Sequence, residues 1–138
     1  MSDKLIRSLF EGRLGTWAAA RVPALPVAWE NVSFTPPANT YLRAFLLRGA
    51  TTSRDLAGDN RNRVGVFQIN IVCPAGNGAG AAESIATELD ALFPMNLRLS
   101  SGAFWVQQVT PLRLWAPDSS DRYLLPVDFE YRADTYPT

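Results

Sequence analysis

The stretch from Arg122 to Arg132 alternates apolar and polar residues more strictly than any other part of the chain. Tyr123, Leu125, Val127, Phe129 and Tyr131 share one side. Arg122, Leu124, Pro126, Asp128, Glu130 and Arg132 share the other. A period of two belongs to a strand with one buried face, so this segment needs a sheet to join and a layer to cover it. Pro126 has no amide to donate, which predicts an edge position or a bulge there. Four more stretches read as strands: Val27 to Phe34, Tyr41 to Arg48, Arg63 to Cys73 and Ala103 to Thr110. Along Arg63 to Cys73, Phe67, Ile69, Ile71 and Cys73 stand opposite Val64, Val66, Gln68, Asn70 and Val72.

Two segments change to the helical period. Leu5, Ile6, Leu9, Phe10, Leu14 and Trp17 recur at three and four residues, with Ser2 or Asp3 to cap the start and Pro23 and Pro26 to end it. Gly12 and Gly15 each cost about 1 kcal/mol relative to alanine, so packing must hold this helix. The second helix runs from Ala81 to Phe93, with Ile85, Leu89, Leu92 and Phe93 as its stripe and Pro94 as its stop. Two helices are too few to cover both faces of a sheet. The pattern predicts one α+β domain over residues 1–138, a largely antiparallel or mixed five-strand sheet with both helices on one face.

That arrangement leaves a second sheet face. It carries Val64, Val66 and Val72, which Leu42, Leu46, Phe104, Val106 and Leu124 are expected to join, mixed with Gln68, Asn70, Gln108 and Asp128. A solvated face needs fewer apolar groups, so the pattern predicts an interface, with burial by twist, by loops or by a shifted register as the alternative.

The chemistry available is narrow. There is no histidine, which removes histidine triads, histidine metal sites and a histidine general base. Cys73 sits in an apolar run and reads as a small buried hydrophobe. The turn Pro74-Ala75-Gly76-Asn77-Gly78-Ala79-Gly80-Ala81 approaches a relaxed dinucleotide fingerprint, but Pro74 interrupts it and no acid follows about 20 residues on to hold a ribose. It reads as a turn whose glycines take backbone angles other residues resist. Asp118 and Asp121 belong to a turn, and Asp128 and Glu130 to a solvated strand face, so no paired-carboxylate site is expected. No catalytic, cofactor-binding or metal-ligating residue is assigned, and no cofactor.

Thirteen basic residues balance thirteen acidic ones, so nucleic acid is not expected as the main partner. Lys4 is the only lysine, and the arginine bias reads as coding composition before interface selection. No run reaches membrane-spanning length, and the N-terminus lacks the pattern of a secretory signal, so the chain is expected to fold where it is made, with no membrane partner. Gly49 to Asn62 is long for a hairpin connection and carries Arg54, Asp55, Asp59 and Arg61, flanked by Arg48 and Arg63. Such a loop is read as an arm that orders on a partner, with a solvated loop as the alternative. Trp17, Trp29, Trp105 and Trp115 read as core or interface anchors.

Val66-Phe67-Gln68-Ile69-Asn70-Ile71-Val72, Pro74, Gly76-Asn77-Gly78, an alanine-rich helix ending Leu92-Phe93-Pro94, and Leu125-Pro126-Val127-Asp128-Phe129-Glu130-Tyr131 follow one another in order. With the N-terminal helix, this succession resembles the tail terminator (tail completion) proteins of long-tailed bacteriophages and prophages, with a lambda-type terminator fold. The resemblance covers nearly the whole chain and rests on diffuse motifs. It implies a structural, non-enzymatic protein that forms a ring, typically a hexamer, on the last ring of the tail tube. Such a ring ends tube polymerisation and presents a surface to the head–tail connector, with DNA passing as cargo. The implied location is the virion tail, and the host bacterial cytoplasm during assembly. Arg48, Arg54, Asp55, Asp59, Arg61, Arg63, Val64 and Val66 are the candidate contacts with a neighbouring subunit or the tube. Another phage neck or tube component, or a small ligand-binding domain, is the alternative reading.

Overall fold

The computed structural model describes residues 2–53, 61–76, 78–101, 104–118 and 122–135. Helix α1 (Ser2–Ala20) leads into β1 (Val27–Ala28), β2 (Tyr41–Ser53) and β3 (Arg61–Pro74). Helix α2 (Gly80–Leu92) follows, then β4 (Arg98–Ser101), β5 (Phe104–Gln108), β6 (Arg113–Leu114) and β7 (Arg122–Thr135). The strands form one sheet in the order β1-β2-β3-β7-β5-β4, with β6 also paired to β7. Among the described residues only the β1–β2 pair is parallel.

The five-strand expectation is overturned. Seven strands among the described residues make a mixed sheet curled into a half-barrel, and strand outweighs helix. The additional strands, β4 and β6, are four and two residues long. Neither is long enough to show a period, and both exist because β5 and β7 offer them backbone partners. The first expected strand shrinks from Val27–Phe34 to Val27–Ala28. Asn31 takes a left-handed φ of 58° and Val32 N–H returns to the Trp29 carbonyl, so the chain turns where a strand was expected.

β7 is central, and Pro126 marks no sheet edge. It pairs with Asn70 of β3 in an unbroken register, while its carbonyl accepts the Trp115 N–H at 3.0 Å on the other side. A residue's N and O point the same way in a strand, so the missing amide faces the place where β6 runs out. The ladder loses one bond there and no more.

The core explains why the helices settle on one side. Ile6, Phe10, Leu14 and Ala18, four residues apart along α1, are all buried. The Phe10 ring lies 5.3 Å from Phe67, 5.1 Å from Phe129 and 5.6 Å from Tyr131, and 6.4 Å from Phe93 just beyond α2. One aromatic cluster therefore joins α1, the central strands and the end of α2. Ala82, Ile85, Ala86 and Leu89 bury the facing side of α2. Polar ties fix the helix ends. Arg21 grips Glu88 through two nitrogens, and Arg13 Nε donates to the Leu92 carbonyl at 2.8 Å. Gly76 and Gly78 both have φ near 80°, as the turn into α2 requires (87° and 78°).

Register corrects the expected face assignment. Leu46 pairs with Phe67 and Leu42 with Ile71, so both point toward the helices, and both are buried. Phe104 and Val106 do the same on β5, and Gln108 is buried beside them, donating to the Phe93 and Thr110 carbonyls. Of the five residues expected to widen the outer face, only Leu124 lies there.

Candidate functional site

With that register, the outer face carries Arg43, Phe45 and Leu47 on β2, and Val64, Val66, Gln68, Asn70 and Val72 on β3. Leu124 to Arg132 contribute their even-numbered positions on β7. Phe45, Leu47, Val64 and Val66 are apolar residues toward one end of it, and Val72 and Leu124 pair toward the other. Leu47 is 47% exposed and Val64 40%. Val66 is flanked by Leu47 on one side and Glu130 on the other. Part of it is tied by charge. Arg113 donates to Asp128 and Glu130, each at 2.8 Å, and the side chain of Asp128 is only 10% exposed. Of the two carboxylates expected on a solvated strand face, Glu130 is exposed, while Asp128 is largely buried under Arg113.

Five of the eight expected contact residues, Arg48, Arg61, Arg63, Val64 and Val66, fall among the described residues. Arg48 is exposed at the end of the regular β2 ladder, where the register with β3 shifts before Thr51. Arg61 and Arg63 lie in β3, opposite Ser53 and Thr51 on β2 and Thr135 and Ala133 on β7. Arg54, Asp55 and Asp59 lie outside the described residues. The expected loop from Gly49 to Asn62 is corrected at both ends: β2 continues to Ser53 and β3 begins at Arg61, so residues 49–53 and 61–62 are strand, while residues 54–60 lie outside the described residues. Threonine and serine at 51–53 are compatible with a strand, and polarity alone had suggested a loop.

Glu30 organises the flank next to this region. Its carboxylate accepts the Leu46 amide at 2.6 Å and the Arg7 guanidinium at 2.9 Å. Burial on its own would raise its pKa. The Leu46 and Arg7 bonds, with the charges of Arg7 and Arg48, outweigh that and hold it below its ordinary value.

Sequence reasoning named Trp105 and Trp115 as core or interface anchors and missed their surroundings. Trp105 on the outer face lies against the guanidinium of Arg98 at 4.0 Å and that of Arg132 at 5.6 Å. Leu114 and Trp115 stand 54% and 52% exposed on the far side of β7. Separately, a cleft of about 380 Å³ opens between the end of α1, the start of α2 and the segment before β2. An exposed tryptophan beside a two-residue strand has no periodic signal, and a cleft assembled from three chain segments has none either.

The chain matches the family model described as "Phage tail terminator protein" over residues 5–131. No curated protein is significantly similar to it. Eight chains among the solved structures match significantly. One of them is 51% identical, with a TM-score of 0.85 over 100% of this chain and 99% of its own.

Proposed function

The chain belongs to the phage tail terminator family, and on that premise we propose that it caps the tail tube as a ring of identical subunits, typically six. The ring ends tube polymerisation and gives the head–tail connector a surface to join. The observation that carries this reading is the family match from residue 5 to residue 131, which reaches from α1 into β7. Terminators of this kind are structural, and no bond-making step is assigned to this chain. Its partners are further copies of itself, the tail tube protein and the connector protein. DNA passes through as cargo. It acts in the virion tail, having assembled in the host bacterial cytoplasm.

The hairpin end of the sheet is the proposed contact with a neighbouring subunit or the tube. It carries Arg48, Arg61 and Arg63 at positions of one face and Val64 and Val66 at positions of the other, where Val64 pairs with Arg132, and the chain between β2 and β3 contains Arg54, Asp55 and Asp59. Exposed apolar residues beside arginine are a composition enriched in interfaces.

Purified protein added to purified, growing tail tubes provides the test. Growth should stop on addition, and electron micrographs should show one end of each tube closed by an extra ring. Tubes that elongate at the same rate with and without the protein would contradict the reading.

A further inference from the structure

We propose that Trp115 of one copy seats in the cleft between α1 and α2 of the next copy, joining subunits head to tail; the inference rests on the ring reading above. The indole is an exposed apolar group on a fixed mount. The Trp115 amide bonds to the Pro126 carbonyl, and the Arg113 guanidinium lies over the ring at 5.7 Å. Arg113 is itself held by Asp128 and Glu130. A tryptophan fixed in this way loses little freedom on binding, and tryptophan dominates the energetics of many interfaces.

The cleft has the size and chemistry to receive it. At about 380 Å³ it falls within the roughly 300–1,000 Å³ of sites that enclose small organic groups. Pro23, Leu25, Pro26, Pro37 and Ile85 give it apolar walls, and Asn39, Thr40 and Ser84 supply oxygens for an indole N–H. Both sides are braced. Arg122 donates to the carbonyls of Pro37, Ala38 and Asn39 at 2.8, 3.0 and 2.8 Å, and the Arg21–Glu88 pair ties α1 to α2.

Position selects a second copy as the occupant. The cleft borders the β1 side of the sheet, where Pro26 receives the Leu42 amide. Trp115 follows β6, which pairs with β7 on the side away from β3, so in sheet order β2, β3 and β7 lie between it and β1. A projection on one flank and a matching recess on the other make a heterologous contact, which closes into a ring when the rotation permits.

Sedimentation of three preparations, at concentrations up to about 1 mM, tests this (about 1 mM suits a contact as weak as roughly 4 kcal/mol). Wild type should self-associate, while Trp115→Ala and Ser84→Trp, which fills the cleft, should each do so at least tenfold more weakly. An equal mixture of the two variants should form dimers and nothing larger, because each retains one half of the contact. A wild type that stays monomeric, or variants that associate as it does, would overturn the inference. Should Ser84→Trp fail to fold, N-acetyltryptophanamide titrated into Trp115→Ala should shift the amide resonances of Ser84 and Asn39 saturably. Their failure to shift would overturn it as well. The ring reading is tested apart from this: if Trp115→Ala still caps tubes with a ring, this contact is wrong and the ring stands.

Discussion

The Glu30 carboxylate accepts the backbone N–H of Leu46 at 2.6 Å, beyond the reach of β1, which pairs β2 at Leu42 and Arg43. A side chain thus completes the edge where the short strand stops. Because Arg7 shares the same carboxylate, the contact also pins α1 to that edge.

This arrangement sets a pH dependence. The folded pKa of Glu30 lies below its ordinary value of 4.5, so its contribution is fully present above 4.5 and is lost as pH falls through the folded pKa. Glu30→Gln should cost on the order of 1 kcal/mol at neutral pH, since the group is partly exposed and screened. Urea titrations at pH 7 and pH 3.5 should show a smaller difference between variant and wild type at the lower pH.

Phe10 touches four other aromatic rings and is 1% exposed. Truncation to alanine should destabilise the domain by about 3–5 kcal/mol, read from denaturant midpoints. The same change at half-exposed Trp115 should leave the midpoint nearly unmoved, within about 0.5 kcal/mol.

Two glycines should respond in opposite directions. A Cβ at Gly65 would run into the Leu47 carbonyl and lie 2.5 Å from the Tyr131 hydroxyl, so Gly65→Ala should cost about 1–3 kcal/mol. A Cβ at Gly12, inside α1, meets nothing within 4 Å. Gly12→Ala should stabilise by roughly 0.5–1 kcal/mol, and thermal melts of the pair decide the sign of each.

Val64 separates folding from assembly. It is 40% exposed on the outer face, so Val64→Asp should change monomer stability by about 0.5 kcal/mol or less. Tube capping should fall steeply. Full capping by a folded Val64→Asp protein would remove this part of the sheet from the interface.

The sequence was most legible where a long element buried one face. Leu125, Val127, Phe129 and Tyr131 are all buried as their alternation predicts, and so are Phe67, Ile69, Ile71 and Cys73. Legibility failed where partners, and no local pattern, decided the outcome. Arg98–Ser101 and Arg113–Leu114 are strands only because β5 and β7 pair with them. Leu42 and Leu46 were misplaced because alternation groups residues within a strand without saying which group faces the helices; the pairing with Ile71 and Phe67 settles it. The candidate contacts were legible as a charged segment, although Thr51 to Ser53 and Arg61 to Arg63 turned out to be paired strand. The exposure of Trp115 and the cleft between α1 and α2 were not legible, since both arise from packing.

Tail length in particles made without this gene tests the central claim most directly. Electron micrographs of such lysates should show tails that are overlong or unattached to heads, with normal tails restored when the gene is supplied in trans. Tails of normal length, joined to filled heads in the gene's absence, would contradict the account.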